Sequence, residues 1–548
     1  MGGKEAAIAD RAPPEASGEV RQSSVDRQAR WAAVVFAVYI GVAFVALLYI
    51  TRRMWFYADD WAWLTRRLDG NGLFKPYYQH WITLPLLVYH VLYWAFGANY
   101  LPYKLCTIGL HLALAVLLRV IMRRAGVNPW LATVAAGTFV LFGPGHEGIM
   151  VSVQMSLVGS VVFGTCHLLS ADHDGPFSRL DALGIAFGAL GLISSGVGTI
   201  MVVIVGISVF IRRGWRMALL HVVPLALLNV VWYAAERRYM SHRHTPHPFQ
   251  EAIRWNITGQ RAVFSALGGG YGVVAILLGG MLVVGLVLAW RPLSLPEFRR
   301  QAAVPAAMLI GGPVFFSLIS VQRGYLARYE TTSRFVGLAA ALALPALAIA
   351  ADALVREWRN ATPIVVALLV VGIPANIGKF PAEGNFPKGF FEHDKAMLLG
   401  AAYSPLGPKV PGTLQPYNQL FHAPDVTMDF LLAARRAGRL PSPPRLTAAE
   451  RDELQVRLGV EQVAADIPTT VKCAPYYAPL VLRPAQGAVY VVDSYVSINY
   501  GEHVATGLTG PVYFDPASGR ILHILVPGLQ LTVANAYGPT RPFSFCTG

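Results

Sequence analysis

Over the first two thirds of the chain, apolar residues come in long blocks separated by short turns that carry glycine or arginine. A bilayer-spanning helix needs about 20 mostly apolar residues, and about eleven blocks approach that length. They are Trp31–Ile50, Leu101–Met122, Trp130–Phe142, Val151–Leu169, Leu180–Ile193, Val197–Ile211, Met217–Ala235, Val273–Trp290, Ala302–Val321, Phe335–Ala351 and Pro363–Ile377. A further stretch, Trp81–Phe96, is shorter, contains Pro85 and is rich in Trp and Tyr. From Lys379 onward the pattern changes. Pro and Gly become frequent, and Ala488–Val496 and Ile521–Val533 read as strands beside turn signals such as Pro516-Ala517-Ser518-Gly519.

Composition agrees with the pattern. The 548 residues are 54% hydrophobic and 14% charged, with mean hydropathy +0.46, whereas a soluble domain carries about 25% charged residues. One soluble globule is excluded. The net charge of +14 lies in turns rather than in a basic stripe interleaved with aromatics, so no nucleic-acid partner is predicted. Charge also sets the topology. If Trp81–Phe96 lies in the outer interface as an amphipathic helix, the clusters Arg119/Arg123/Arg124, Arg212/Arg213/Arg216, Arg291/Arg299/Arg300 and Arg356/Arg359 all fall inside, as the positive-inside rule wants.

The predicted fold is thus a polytopic α-helical membrane protein of the plasma membrane, with about 11 transmembrane helices plus the interfacial helix. Residues 1–30 form a cytoplasmic tail without the features of a signal peptide. Residues 31–378 form the transmembrane domain, with 51–100 as its first external loop, and 379–548 form an extracytoplasmic α+β or β-rich domain. The four cysteines show no CxxC spacing, which argues against zinc or iron–sulfur sites. Cys473 and Cys546 both fall in the external domain, where a disulfide between them can persist.

Three features of the external face carry candidate chemistry. Tyr57-Ala58-Asp59-Asp60-Trp61 follows the first span; a carboxylate there can act as general base or hold a divalent ion, or Asp60 can simply cap the helix that starts at Trp61. Gly143-Pro144-Gly145-His146-Glu147 places a second acid beside a histidine on the same face. The loop Gln322–Glu330, with Arg323 and Arg328, leads to Arg334 and breaks the positive-inside rule; outward arginines with interleaved tyrosines suit a lipid phosphate, or snorkel to headgroups generally. Lys75 and His80 can join that phosphate site. Glu236–Trp255 reads as a polar loop with His242, His244 and His247, and His111 as a helix-packing residue.

The order of these parts resembles the integral-membrane glycosyltransferases of the GT-C class that use polyprenyl-phosphate sugars, mannosyl- and arabinosyltransferases among them. The residues carrying the resemblance are Asp59-Asp60, Lys75-Pro76, Phe96-Gly97, the helix Leu101–Arg124 with His111, His146-Glu147 followed by Ile149–Ser152, and Arg328–Phe335. It spans roughly residues 31–350. Two departures stand out: the acid pair is Asp-Asp where many members have Asp-Glu, and Val151 or a neighbour replaces a tryptophan of the second motif. The resemblance implies a catalytic cavity at the external membrane face, a polyprenyl-phosphate sugar donor and inverting transfer.

On that reading Asp59 is the base, as the first acid of the pair. Asp60 and Glu147 orient the acceptor or hold an optional divalent cation (Mg, Mn or Ca), and Arg328, Arg334, Lys75 and His80 bind the donor phosphate. His146 and Tyr57 orient the acceptor, which is an envelope glycan, glycolipid or protein in cell-wall biogenesis. Two rivals share the lipid-phosphate arginines or the topology: a transporter or flippase of a lipid-linked sugar, and a non-catalytic envelope assembly protein.

Overall fold

The computed structural model describes residues 14–65, 72–240, 245–326, 328–380, 389–417, 423, 425–464, 472–501 and 512–547. It is mostly helical, with a β-rich region near its C-terminal end. Among the described residues, eight helices are long and apolar enough to cross a bilayer: Asp26–Ile50, Tyr100–Arg124, Ser152–Ala171, Trp215–Tyr239, Gly272–Trp290, Ala303–Arg323, Ser333–Glu357 and Arg359–Ile377. That is the architecture of a polytopic membrane protein.

The three remaining predicted spans are helices too, but shorter: Pro129–Val140, Arg179–Leu192 and Val197–Arg213 have 12, 14 and 17 residues. Turns at Gly143, Gly196 and Gly214 cut them off. At 1.5 Å per residue none reaches the length of a full crossing. Trp81–Phe96 contains the helix Thr83–Phe96.

The predicted loop Glu236–Trp255 needs correction. Pro248–Leu267 is a helix of 20 residues whose buried positions are Trp255, Gly259, Val263 and Leu267, every fourth residue. A narrow apolar stripe on a polar helix does not raise mean hydropathy, so a search for apolar blocks passes over it. His242 and His244 lie outside the described residues.

The chain divides into two compact units. The first comprises residues 1–51, 74–85 and 104–384. Its helices approach closely where glycines remove side chains. A Cβ on Gly164 would stand 2.4 Å from Met201 Cβ, and one on Gly285 would stand 2.4 Å from the carbonyl oxygen of Ala350. Ser178 caps the helix Arg179–Leu192 through a reciprocal capping box with Asp181.

The second unit comprises residues 52–73, 86–103 and 385–548. It joins most of the first predicted external loop to the C-terminal region. Phe56 packs edge-on against Tyr100 and Tyr103, and Trp61 against Trp55 and Phe430. Among the described residues, helices Phe390–Tyr403, Met428–Arg436 and Ala448–Gly459 precede nine strands. These are β1 (Val460–Val463), β2 (Lys472–Tyr476), β3 (Leu480–Leu482), β4 (Val489–Val492), β5 (Val496–Tyr500), β6 (Val512–Phe514), β7 (Ile521–Ile524), β8 (Leu531–Asn535) and β9 (Phe543–Thr547). They form antiparallel sheets in the orders β1-β7-β4-β9-β2 and β3-β8-β5-β6. Each predicted strand segment therefore breaks into two. Cys473 on β2 stands directly opposite Cys546 on β9, and a disulfide joins them.

Candidate anion-binding cavity

The first unit holds a cavity of about 490 Å³ whose lining combines apolar helix faces with a few strong donors. Leu192, Ile200, Leu318 and Phe335 supply hydrocarbon, and Trp81 and Trp232 contribute two indoles stacked 5.0 Å apart with planes 3° from parallel. The donors are His80, Arg323 and Arg334, with Gln79, Gln322 and Asn229 beside them. The lining contains no carboxylate among the described residues.

The two arginines converge. The hydroxyl oxygen of Tyr329 accepts from Arg323 Nη1 at 2.9 Å and from Arg334 Nη2. Both guanidinium groups also lie over the Tyr329 ring, 5.5 and 5.2 Å from its centroid. Arg323 Nη2 stands 3.1 Å from His80 Nε2, while the Gly196 N–H, at the start of helix Val197–Arg213, donates to His80 Nδ1 over 3.2 Å. Burial, reinforced by the charges of Arg323 and Arg334, pushes His80 down to about 3, so the ring is neutral at physiological pH. A neutral imidazole has one lone pair, yet both its nitrogens face N–H donors. The site has more donors than acceptors, as an anion pocket requires.

Glu147 lies at its margin, with Oε2 3.6 Å from Arg334 Nε. Neither of those two atoms makes a hydrogen bond, and both are shielded from solvent. Ser333 holds this corner, taking the Glu147 N–H on its hydroxyl at 3.1 Å and meeting His146 Nδ1 at 3.2 Å. Burial lowers the His146 pKa, with the Glu147 charge acting in the opposite direction.

Of the predicted phosphate ligands, His80 and Arg334 share the cavity. Arg328 is exposed at a left-handed turn (φ 58°) and does not line it, and Lys75 sits 5.4 Å over the Tyr239 ring instead. Sequence reading placed Arg323 in the right loop without assigning it to the site. Its position at the last turn of an apolar helix, eleven residues before Arg334, was the signal available.

Tyr57, Asp59 and Asp60 belong to the second unit. Asp60 is fully buried, accepting the Tyr57 N–H at 3.1 Å and the Tyr89 hydroxyl, whereas Asp59 is partly exposed in the first turn of helix Asp59–Thr65. The cation role for Asp60 and Glu147 gains no support from clustering. Among the described residues one group has metal-ligand geometry, Cys473, Asp493 and Cys546, and its two sulfurs form the disulfide. No protein-family profile matches this chain, and neither does any curated protein or solved structure.

Proposed function

We propose that the protein is a GT-C-like inverting glycosyltransferase that takes a sugar from a polyprenyl-phosphate donor and adds it to a hydroxyl of an envelope glycan, glycolipid or protein. One observation carries the reading. The cavity, whose described lining includes no carboxylate, pairs Arg323, Arg334 and His80 with walls of Leu, Ile, Phe and Trp. A phosphate on a long hydrocarbon chain needs both parts at once, charge-assisted donors for the head and apolar surface for the tail.

In this reading the acceptor oxygen bonds to the anomeric carbon as the bond from that carbon to the phosphate oxygen breaks. The arginines neutralise the charge gathering on the leaving phosphate. Asp59 takes the acceptor's proton, being the acid of the pair left partly exposed. Glu147 holds Arg334 in place. The N-terminus is cytoplasmic, and the cavity and β-rich region are external. The Cys473–Cys546 disulfide supports an oxidising side for that region.

The test is mass spectrometry of envelope glycans and lipid-linked sugars in a deletion strain carrying wild type, Asp59→Asn or Arg334→Ala. One glycan short of a sugar, with its lipid donor accumulating in both variants, supports transfer. Full complementation by Asp59→Asn removes Asp59 as base. If purified protein moves the lipid-linked sugar between leaflets without transferring it, the transporter reading replaces this one.

A further inference from the structure

At the opposite end of helices Arg179–Leu192 and Val197–Arg213 from the cavity, four helices of the first unit bury a chain of ionisable groups. His167, His221 and Asp181 are each 0% exposed. His167 Nε2 lies 2.9 Å from His221 Nδ1, and His221 Nε2 lies 3.0 Å from Asp181 Oδ1. Arg213 pairs with the Asp181 carboxylate through both terminal nitrogens, and the Ser178 N–H and hydroxyl donate to it at 2.7 and 3.0 Å. His173 stands 3.3 Å away on the more open side, its side chain 25% exposed.

These contacts determine every proton in the chain. Asp181 faces Arg213 and both donors of Ser178, so it is a carboxylate and accepts only. His221 therefore carries its hydrogen on Nε2 and presents a lone pair at Nδ1. His167 must fill that lone pair from its own Nε2–H, which leaves its Nδ1 as a second lone pair. That nitrogen is buried and has no hydrogen-bond partner. Gly188 keeps room for it, since a Cβ there would stand 2.7 Å from Nδ1. A buried acceptor without a partner is destabilising, and ionisable residues inside membrane helices mark proton relays and ion pathways.

We propose that His167 and His221, backed by Asp181, form a binding site for a single proton inside the helix bundle. The proton bonds to His167 Nδ1. The Nε2–H bond of His167 then breaks as a bond forms from that hydrogen to His221 Nδ1, leaving His167 neutral and His221 an imidazolium against Asp181. No other reactant is needed. The charged and titratable groups facing the pair are Asp181, Arg213 and His173; Arg213 already matches the Asp181 charge, so the first proton leaves the cluster with one net positive charge, which opposes a second. This site is independent of the glycosyl-transfer reading, which uses none of its residues.

The experiment is ¹⁵N nuclear magnetic resonance of the full-length chain, labelled at histidine, in lipid nanodiscs between pH 8 and pH 4. The expected result is Nε2–H tautomers for both rings at pH 8, a ¹⁵N–¹⁵N coupling across the His167–His221 hydrogen bond, and uptake of one proton by the pair on acidification. Asp181→Asn should abolish that uptake. The coupling identifies the pair in the wild-type protein, so the result stands even where a variant does not insert. An Nδ1–H tautomer on either ring at pH 8, two independent protonations, or no uptake down to pH 4 would each overturn the proposal.

Discussion

The phenol of Tyr89 donates to the carboxylate of Asp60, and the same carboxylate takes the backbone N–H of Tyr57. Two adjacent acids thus have separate duties. Asp60 is spent inside the protein, tying helix Thr83–Phe96 to the loop before Asp59, while Asp59 stays at the surface of its unit.

Tyr89→Phe should cost about 1–3 kcal/mol, because it strips a buried carboxylate of one of its donors. Asp60→Ala should be at least as damaging. Asp59→Asn should leave the thermal midpoint of the detergent-solubilised protein unchanged. An Asp60→Ala protein as stable as wild type would show that the buried contact is dispensable.

Arg323→Ala and Arg334→Ala should each weaken binding of a short-chain polyprenyl phosphate by roughly tenfold or more, since a hydrogen bond to a charged group contributes about 1.5–3 kcal/mol. Arg328→Ala should change it less than about twofold, the usual result for an exposed charge. Native mass spectrometry of the three variants gives the ranking. A larger loss for Arg328 than for Arg323 would move the anion site out of the cavity.

His80 gives a pH signature with a definite sign. In the unfolded chain it titrates near about 6.5, and in the folded protein burial, Arg323 and Arg334 hold it at about 3. Between those values the unfolded chain binds the extra proton. The contribution of His80 to stability is therefore complete above about pH 6.5 and is lost as pH falls toward 3. His80→Asn should flatten that part of the midpoint-versus-pH curve. Equal slopes for the two proteins would mean that His80 protonates freely in place.

Much of the helical layout was legible from the sequence because lipid-facing helices advertise themselves by composition alone. Each apolar block holds helix, and the segment Trp81–Phe96 holds the helix Thr83–Phe96. What stayed hidden depended on contacts between distant segments. The stripe of Pro248–Leu267 has meaning only against its neighbours, such as Phe316, whose ring would lie 2.5 Å from a Cβ on Gly259. The cavity needed His80 and Arg323, 243 residues apart, to meet. Likewise, nothing local told that residues 52–73 and 385–548 belong to one compact unit.

Reduction and alkylation should add two labels at Cys473 and Cys546 that are absent without reductant. Cys473→Ser/Cys546→Ser should destabilise the β-rich region by about 2–4 kcal/mol, the usual effect of opening a disulfide. Labelling of both cysteines in the unreduced protein would rule out the bond.

Gly97 has φ 56°, and a Cβ added to it would lie 2.2 Å from the carbonyl oxygen of Arg439, which also accepts the Ala98 N–H at 2.7 Å. Gly97→Ala should abolish correct folding of the second unit. Gly126→Ala, at φ 86° with open space around it, should cost only about 1 kcal/mol. Comparable yields and midpoints for the two variants would contradict the close approach.

The place of β9 reverses the order in which the β-rich region can be assembled. It follows the other eight strands in the chain, yet it lies between β4 and β2 in the five-stranded sheet. While the polypeptide is being made, β4 and β2 wait with open backbone edges, which invite pairing with other chains. Synthesis runs from one end to the other, but β2 can join this sheet only once β9, its sole partner among the described strands, has been made. A nascent chain stalled shortly before Phe543 would still lack the strand that joins β2 to β4.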